Sequence, residues 1–195
     1  MSLEKIKHFS VMLDQILSII TPQHGGTFID CTFGAGGHSK AILKYPNTKV
    51  IAFDRDISTN VFAKTLENQY GNRFKFCNKK FSNLGSFITK DTDIKAIIFD
   101  LGFSLMQVKN LKRGFSFESK EPLDMRMGIN SYSAFDVLNK LNQNEISNIL
   151  KYFGDEKDHK KIALRIVKSR KNKKFLYTDD LSKIIRDIKK NKKKT

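Results

Sequence analysis

The segment Phe33–Ser39 has the composition of a ligand-binding loop, because three of its seven residues are glycine. It follows a stretch of β-forming residues and runs into a helical pattern. Glycine permits backbone conformations that other residues avoid, and it lets a ligand approach without a Cβ in the way. Asp54 lies seventeen residues after Gly37, at the end of the next β-forming stretch, where a carboxylate can accept both hydroxyls of a ribose. Together these features predict a cofactor that contains adenosine.

The spacing of the glycines bears on which cofactor this is. Dinucleotide-binding loops have the pattern G-x-G-x-x-G, whereas here Gly34 and Gly36 are followed by Ser39 at the third position. Asp30, just before the loop, would repel a pyrophosphate but suits the cationic methionine end of S-adenosylmethionine. We therefore expect S-adenosylmethionine rather than NAD. A glycine turn without any ligand is the third interpretation, and it leaves the position of Asp54 unexplained.

The elements that position this loop follow from the hydrophobic pattern. β-Branched and aromatic residues mark four strands, at Thr27–Thr32, Lys49–Asp54, Arg73–Cys77 and Ile94–Asp100. Helical patterns separate them, at Ser39–Tyr45, Ser58–Tyr70 and Ser82–Thr89. A further helix opens the chain, with Ser10 as its N-cap and Thr21-Pro22 as its end. Strands that alternate with helices predict an α/β fold with a parallel sheet and right-handed crossovers.

The second half of the chain has a different pattern. Residues 101–130 have no regular period and are expected to form a long loop. Helical patterns then follow at Ala134–Leu141, Glu145–Phe153, Asp158–Lys168 and Asp179–Lys189. We therefore expect a cofactor-binding half-domain over residues 1–108, a substrate or lid loop over 109–130 and a basic helical domain over 131–195.

Basic residues outnumber acidic ones, with 36 Lys and Arg against 20 Asp and Glu, so the net charge is +16 and the pI about 9.8. Because 29 of the basic residues are Lys, part of the excess can reflect an A+T-rich genome. Residues 131–195 nevertheless carry +10, against +6 for residues 1–130. A basic segment of this kind favours contact with the phosphates of a nucleic acid.

The composition also excludes several classes of protein. No apolar run approaches 18 residues, so no membrane-spanning helix is expected. Cys31 and Cys77 are too few for a disulfide framework, and the first twenty residues lack the features of a signal peptide. We therefore expect a cytoplasmic protein. The four His residues have no ligand spacing, so no metal site is expected.

Several motifs follow one another along the chain, namely His8-x-x-Val11-x-Leu13, Phe33–Ser39, Phe53–Asp56, Phe81–Leu84, Phe99–Gly102, Arg113–Phe117, Pro122–Met127, Tyr152–Lys157 and Ile162–Val167. In this order they resemble the motifs of the RsmH (MraW) family of methyltransferases, which act on the N4 amine of cytosine in small-subunit ribosomal RNA. The resemblance runs from about His8 to Ile188 and includes the glycine loop. This resemblance implies a class I, Rossmann-like methyltransferase with a helical insert.

The resemblance also implies which residues contact S-adenosylmethionine. They are Gly36, Gly37, His38, Asp54, Phe81, Asp100 and Gln107. The residues themselves agree for Asp54, which suits the ribose, and for Phe81, which can lie against the adenine or simply belong to the core. For His38 the alternative is a purely structural bond at the start of a helix.

Asp100 is the candidate catalytic residue. It ends the fourth predicted strand, and open parallel sheets bind ligands beyond the carboxyl ends of their strands. The exocyclic amine of cytosine is a poor nucleophile, so an enzyme must align it with the methyl group and accept an N–H hydrogen bond as charge develops. Asp100 can be that acceptor, directly or through water. Its alternative roles are to cap the turn at Leu101-Gly102 or to hold the cofactor only.

The cysteines bear on the reaction as well. Methylation at the ring carbon of cytosine normally requires a thiolate that first adds to the ring. Neither Cys31, before the glycine loop, nor Cys77, at a strand end, has a neighbour that would activate it. The sequence therefore favours direct transfer to nitrogen.

The loop over residues 109–130 contains the cations and aromatic rings expected to hold RNA. We expect contacts from Arg113, Phe115, Phe117 and Arg126, since a target base must leave its stack and be held by rings and guanidinium groups. Phe115 and Phe117 can equally dock the loop on the core. Asp124 is expected to pair with Arg126 or Arg113.

The chain departs from the resemblance in two places. Where relatives have Ser-Ser-Pro-Gln, it has Ser104-Leu105-Met106-Gln107, which loosens the turn before Gln107. It also stops close to where relatives return to the sheet, so we expect a truncated chain with weak or absent activity alone. Its fourth strand would be an exposed edge unless a second copy or another chain covers it. Two other functions stay open, an NAD-dependent oxidoreductase and an RNA-binding fragment without turnover.

Overall fold

The computed structural model describes residues 10–90, 92–116 and 120–192. Its strands are β1 (Gly26–Asp30), β2 (Thr48–Phe53), β3 (Phe74–Cys77) and β4 (Ile94–Ile98). Its α-helices are α1 (Leu13–Ile20), α2 (Gly37–Leu43), α3 (Asn60–Tyr70), α4 (Leu105–Lys109), α5 (Ala134–Lys140), α6 (Gln143–Tyr152), α7 (His159–Arg170) and α8 (Thr178–Lys192). Short 3₁₀ turns lie at Pro22–His24, Ile57–Thr59, Gly71–Arg73, Phe81–Ser86 and Leu111–Arg113.

The four strands form one parallel sheet in the order β3-β2-β1-β4. The central strand, β1, places Phe28 opposite Val50 of β2 and Ala96 of β4. The strand order reverses direction between β1 and β4, and open α/β sheets bind ligands beside such a switch point. The predicted α/β class and parallel, Rossmann-like sheet are therefore confirmed.

The chain divides into two compact units, one running to Ser104 and including Met127–Ile129, and the other made of Leu105–Arg126 and Asn130–Thr195. The predicted three-part division at 108 and 130 stays a prediction. In the first unit, alternate strand residues face opposite sides of the sheet. Phe28 and Val50 pack with Ile42 of α2 on one side, while Ile29 and Phe53 lie in the cluster on the other.

The start of α1 differs from the prediction. The helix begins at Leu13, and Met12 precedes it in the left-handed conformation with φ of 52° and without a side-chain cap. The predicted N-cap at Ser10 is therefore wrong. The backbone carbonyl of Val11 is engaged by His38 instead, so this segment is directed towards the glycine loop rather than into the helix. The predicted end at Thr21-Pro22 is confirmed.

Two other segments differ from their predicted conformation. The helix predicted at Ser82–Thr89 is a 3₁₀ turn over Phe81–Ser86, whose interior contains Gly85, a residue that disfavours helix. The fourth strand ends at Ile98 rather than at Asp100. The predicted loop over residues 101–130 also contains a short helix, α4.

The second unit is a helical bundle with a core of its own. Ile146 of α6, Ile162 and Ile166 of α7 and Phe175 are almost completely buried together. Ser133 and Asn142 begin α5 and α6 with capping boxes, in which the side chain at the cap and the acid three residues later bond to each other's backbone N–H. The four helices predicted here are confirmed, with ends shifted by up to three residues. Among the described residues, no helix has the length and apolar character needed to cross a membrane.

Strand β4 lies at the edge of the sheet, next to β1. Near its end Ile97, Phe99 and Leu101 are 44%, 51% and 71% exposed. A sheet edge that combines unpaired backbone groups with apolar side chains favours association. That a second copy or another chain covers this edge stays a prediction.

Ile166→Ala tests the helical core. Ile166 is fully buried, so the cavity left by truncation should lower the free energy of unfolding by about 2–5 kcal/mol. Leu164→Ala removes a similar side chain that is 40% exposed on the same helix and should cost clearly less. Urea unfolding followed by circular dichroism measures both variants. Equal losses would contradict the packing described for α7.

Candidate functional site

The glycine loop connects the end of β1 to the start of α2 through two left-handed residues. Gly34 has φ of 56° and Gly36 has φ of 80°, conformations that favour glycine. The amide of Gly36 donates to the carbonyl of Phe33 at 2.7 Å, which closes the turn. A Cβ on Gly36 would strike the Phe33 ring and Leu66, whereas a Cβ on Gly34 would meet only the Thr32 carbonyl oxygen, at 3.9 Å. Gly36 therefore allows close packing, and Gly34 borders open space.

Asp54 follows β2 directly and ties the glycine loop to it. Its Oδ2 accepts the amide N–H of Gly34 at 2.7 Å, and its Oδ1 accepts that of Asp56 at 2.8 Å. The side-chain amide of Asn78 in turn donates to the backbone carbonyl of Asp54 at 2.8 Å. The backbone N–H of Arg55 also interacts with this carboxylate. An ionised carboxylate offers about four acceptor sites, so three backbone donors leave capacity for about one more. This arrangement leaves Asp54 able to accept a hydroxyl beside an open loop.

The pKa of Asp54 is raised above its ordinary value. Burial is the main cause and the charge of Asp56 adds to it, while the bonds from the amides of Asp56, Gly34 and Arg55 act in the opposite direction. Desolvation makes the ionised form costly, and a donor that reaches this carboxylate offsets part of that cost. Electrostatics at the end of β2 therefore favour a ligand that donates hydrogen bonds.

Asp30 differs from its sequence-based interpretation. Its side chain is 1% exposed, and the hydroxyl of Ser39 and the amide of Thr32 donate to its two oxygens, at 2.7 and 3.1 Å. Burial raises its pKa. The carboxylate is thus enclosed by the protein and braces the start of α2, rather than lining the open side of the loop. Asp30 can therefore influence a ligand only through the electric field of its charge, not by direct contact.

His38 and Gly37 contact the segment before α1. The Nε2 atom of His38 lies 3.1 Å from the carbonyl oxygen of Val11, which can only accept, so this nitrogen carries the proton. The side chain is 5% exposed. A Cβ on Gly37 would overlap the hydroxyl of Ser10. The protein itself covers the loop at Gly37, and the His38 ring is used for structure, so contact with a cofactor is left to the backbone.

Asp100 lies two residues beyond β4 with an exposed side chain. Its amide donates to the hydroxyl of Thr32 at 2.8 Å, which joins the ends of β1 and β4 at the switch point. The prediction did not include Thr32. The available signal was a hydroxyl residue directly after a strand that leads into a glycine loop. The side chain of Asp100 is therefore presented to solvent at this edge of the sheet by an anchored backbone.

Phe81 is 41% exposed, so the interpretation of it as a core residue is wrong. Its ring meets that of Phe99 edge to face, with centroids 5.4 Å apart. Phe99 directly precedes Asp100 in the chain. One exposed aromatic face therefore lies close to the end of β4, where it can stack on a flat ligand.

The remaining predicted residues belong to the second compact unit. Gln107 is buried within α4. The guanidinium of Arg113 lies 5.5 Å from the centre of the Phe115 ring and donates to the carbonyl of Arg126 at 2.6 Å. Phe117 lies outside the described residues.

Arg126 is bound by an acid in the same segment. Its Nε and Nη2 donate to the two oxygens of Asp124, at 2.6 and 3.0 Å, so the predicted pairing of Asp124 with Arg126 is confirmed. This side-chain bond is the main reason why the pKa of Asp124 is lowered. The guanidinium of Arg126 is therefore partly occupied before any RNA contact.

The cysteines are not activated. Burial raises the pKa of the Cys31 thiol to about 11, with Asp30 adding to the effect, and burial also raises that of Cys77. Both thiols are therefore protonated at neutral pH and poor nucleophiles. Within the described part of the chain, no group of three or more His, Cys, Asp or Glu side chains is arranged to hold a metal ion.

Comparison with known proteins identifies relatives along almost the whole chain. The family model described as the MraW methylase family matches residues 5–195. "Ribosomal RNA small subunit methyltransferase H" of Orientia tsutsugamushi (strain Ikeda) is 41% identical over 92% of this chain and 58% of its own length. The protein of the same name from Wolbachia sp. subsp. Drosophila simulans (strain wRi) is 42% identical over 93% of this chain and 63% of its own length.

The chain therefore spans about three fifths of the length of these curated relatives. Among solved structures, an rRNA methylase from Streptococcus thermophilus matches 45% of this chain and 54% of its own, with a TM-score of 0.37 and 20% identity. The family model covers residues 5–195, and the curated relatives are about 40% identical to this chain over more than nine tenths of its length. The chain therefore belongs to the MraW methylase family.

Proposed function

We propose that this chain binds S-adenosylmethionine and serves methyl transfer to the exocyclic N4 amine of a cytidine in small-subunit ribosomal RNA. The observation that carries the proposal is the carboxylate of Asp54, which fixes Gly34 of the loop and retains acceptor capacity beside open space. The names of the relatives support the rRNA substrate and the transfer of a methyl group.

The residues of the first unit fit the cofactor at three places. The remaining acceptor capacity of Asp54 suits a hydroxyl of the ribose, and the exposed ring of Phe81 suits the adenine. Gly36, Gly37 and His38 stay proposed backbone contacts for the methionine end from the family resemblance, and Ser10 already covers one side of Gly37. The loop carries Ser39 where a dinucleotide-binding loop has its third glycine, and the Ser39 hydroxyl is already bonded to Asp30, which disfavours NAD.

S-Adenosylmethionine, when bound, supplies a methyl group on a positively charged sulfur. Asp100 would accept a hydrogen bond from the N–H of the attacking amine, and the proton that the amine loses on methylation would pass to this carboxylate or to water. The bond from the Asp100 amide to Thr32 holds the backbone of the acceptor still, which favours alignment of the attacking nitrogen.

The state of the thiols supports nitrogen over carbon as the target. Carbon methylation of cytosine requires a thiolate near the ring, but the pKa of Cys31 is raised to about 11 and that of Cys77 is also raised by burial. Direct transfer to an amine needs neither a covalent intermediate nor a metal.

RNA contacts are proposed for the second unit. Arg113 and Phe115 form a stacked cation and ring that can hold an unstacked base together with a phosphate. Arg126, which Asp124 already neutralises in part, is the weaker candidate. Gln107 and Phe117 stay proposals from the family resemblance alone.

Asp54→Asn tests the cofactor site. The substitution keeps the shape but removes the charge and one acceptor, so the affinity for S-adenosylhomocysteine should fall about 10–100-fold, the equivalent of one or two charge-assisted bonds. Isothermal titration calorimetry measures it. Asp93→Asn is the matched control, because Asp93 is exposed and pairs only with Lys95 at 2.9 Å among the described side chains. Equal affinity for both variants, or heat with NAD alone, would overturn the cofactor assignment.

The same site predicts a pH dependence. Burial raises the pKa of Asp54, so its carboxylate is protonated at a higher pH than an exposed Asp, and the acceptor for the ribose is lost as the pH falls through that raised value. Affinity for S-adenosylhomocysteine should therefore weaken as the pH falls, beginning at a higher pH than the titration of an exposed Asp would give. The pKa of Asp30 is raised too, so Asp54→Asn is needed as the comparison. If the affinity of Asp54→Asn depends on pH in the same way as that of the wild type, the pH dependence comes from another group.

Asp100→Asn tests the reaction. The variant should lower the rate of methyl transfer from a labelled donor to small-subunit RNA by about 10²–10⁴-fold, the usual contribution of a proton acceptor. Mass spectrometry of the nucleosides should identify N4-methylcytidine as the wild-type product. A 5-methylcytidine product would contradict the mechanism but not the cofactor site. RNA binding without cofactor heat or methylation would instead favour an RNA-binding protein without turnover.

A further inference from the structure

A cleft in the helical unit has no role in the function proposed above. It has a volume of about 210 Å³ and lies between α7, α8 and the segment that connects them. Ligand sites for whole organic molecules usually have about 300–1,000 Å³, so this cleft suits a small group or part of a larger molecule. Its floor includes Phe175 and Ile184, which are buried in the core of the same unit.

The side chains around the cleft are mainly cationic. Arg165, Lys173, Lys174 and Lys183 line it, against two acids, Asp180 and Asp187. The cleft therefore carries a net charge of about +2 by this count of formal charges.

One acid of the cleft is already used by the protein. Asp180 accepts the backbone amides of Leu176 and Tyr177, both at 3.0 Å, and pairs with Lys173 at 3.3 Å. These bonds hold the connecting segment against the start of α8. The ion pair of Lys173 and Asp180 is thus a structural part of the cleft lining. Its opposite charges largely cancel, so it adds little to the electrostatic field of the cleft.

The other three cations have no such partner. Within residues 10–90, 92–116 and 120–192, no acid side chain forms an ion pair with Arg165, Lys174 or Lys183. These three exposed cations share the cleft with the carboxylate of Asp187, so the net charge stays about +2 and favours an anion. Arginine can bind a phosphate through two parallel bonds, while lysine acts as a point charge.

The sequence around the cleft extends this charge. Residues 159–178, which contain α7 and the connecting segment, include eight Lys or Arg and no Asp or Glu. A long run of one sign produces a field that attracts a polyanion more strongly than a single small anion. The charges therefore favour an extended chain of phosphates over a free ion.

We infer that this cleft binds the phosphate backbone of RNA through Arg165, Lys174 and Lys183. The inference rests on the proposed function for its choice of polyanion, but it concerns a separate site in the helical unit. Phosphate contacts do not distinguish between bases, so the cleft contributes to the affinity for RNA and to the position of the RNA on the protein.

The test is a triple variant of the full chain, Arg165→Gln, Lys174→Gln and Lys183→Gln, with binding to a small-subunit RNA fragment measured by fluorescence anisotropy at several salt concentrations. Loss of about three phosphate contacts should reduce the slope of log affinity against log salt by roughly 2, since each contact to a single strand contributes about 0.7. Affinity near 0.1 M salt should fall about tenfold or more.

The control variant is Lys64→Gln, Lys151→Gln and Lys157→Gln, which removes the same charge from exposed positions outside both the lining of the cleft and residues 159–178. It should change the slope by less than half as much. An equal change in the control, or an unchanged slope in the cleft variant, would overturn the inference. Calorimetry with S-adenosylhomocysteine on the same variants reports on the proposed function independently, because both triples leave Asp54 and the glycine loop intact.

Discussion

The carboxylate of Asp54 is the group on which the arrangement of the first unit depends. Its side chain accepts the amide of Gly34 in the glycine loop and that of Asp56 in the segment after β2. The amide of Phe33, which donates to the carbonyl of Phe53 at 2.9 Å, joins the loop to β2 a second time. Backbone donors next to a desolvated carboxylate form stronger bonds than they would in water. The bond to Asp54 therefore helps to hold Gly34 in its left-handed conformation with an open side.

The parallel sheet explains why so few residues suffice for the site. Because all four strands run the same way, the residues that follow β1, β2 and β4 emerge at one edge. Thr32 links two of these ends by accepting the amide of Asp100, and its own amide donates to Asp30. Each bond is local, but together they fix acceptors at the ends of three strands. The sheet thus brings together residues that are twenty or more positions apart in the sequence.

The sequence was sufficient to predict the four strands, the glycine loop and the position of Asp54, since these depend on local periodicity and on glycine. It was insufficient to predict the surroundings of Asp30, His38 and Phe81, because these depend on which other segment of the chain covers each side chain. Asp30 faces Ser39 inside the protein, and His38 binds the carbonyl of Val11, a residue 27 positions away. The 3₁₀ turn that replaced a predicted helix leaves Phe81 exposed rather than packed. Burial of single side chains is a tertiary property that a local pattern does not determine.

The carboxylates of Asp30, which is buried, and Asp54, which is half-buried, also bear on the charge of a ligand at the loop. Burial raises the pKa of both groups, the charge of Asp54 adds to the effect on Asp30, and the charge of Asp56 adds to the effect on Asp54. A ligand with a phosphate here would add a third negative group to this environment. A ligand with a positive centre and hydroxyl donors would instead stabilise the ionised forms and lower both pKa values. A cationic nucleoside therefore matches the electrostatics at the ends of β1 and β2 better than a dinucleotide, which supports the cofactor proposed above independently of the glycine pattern.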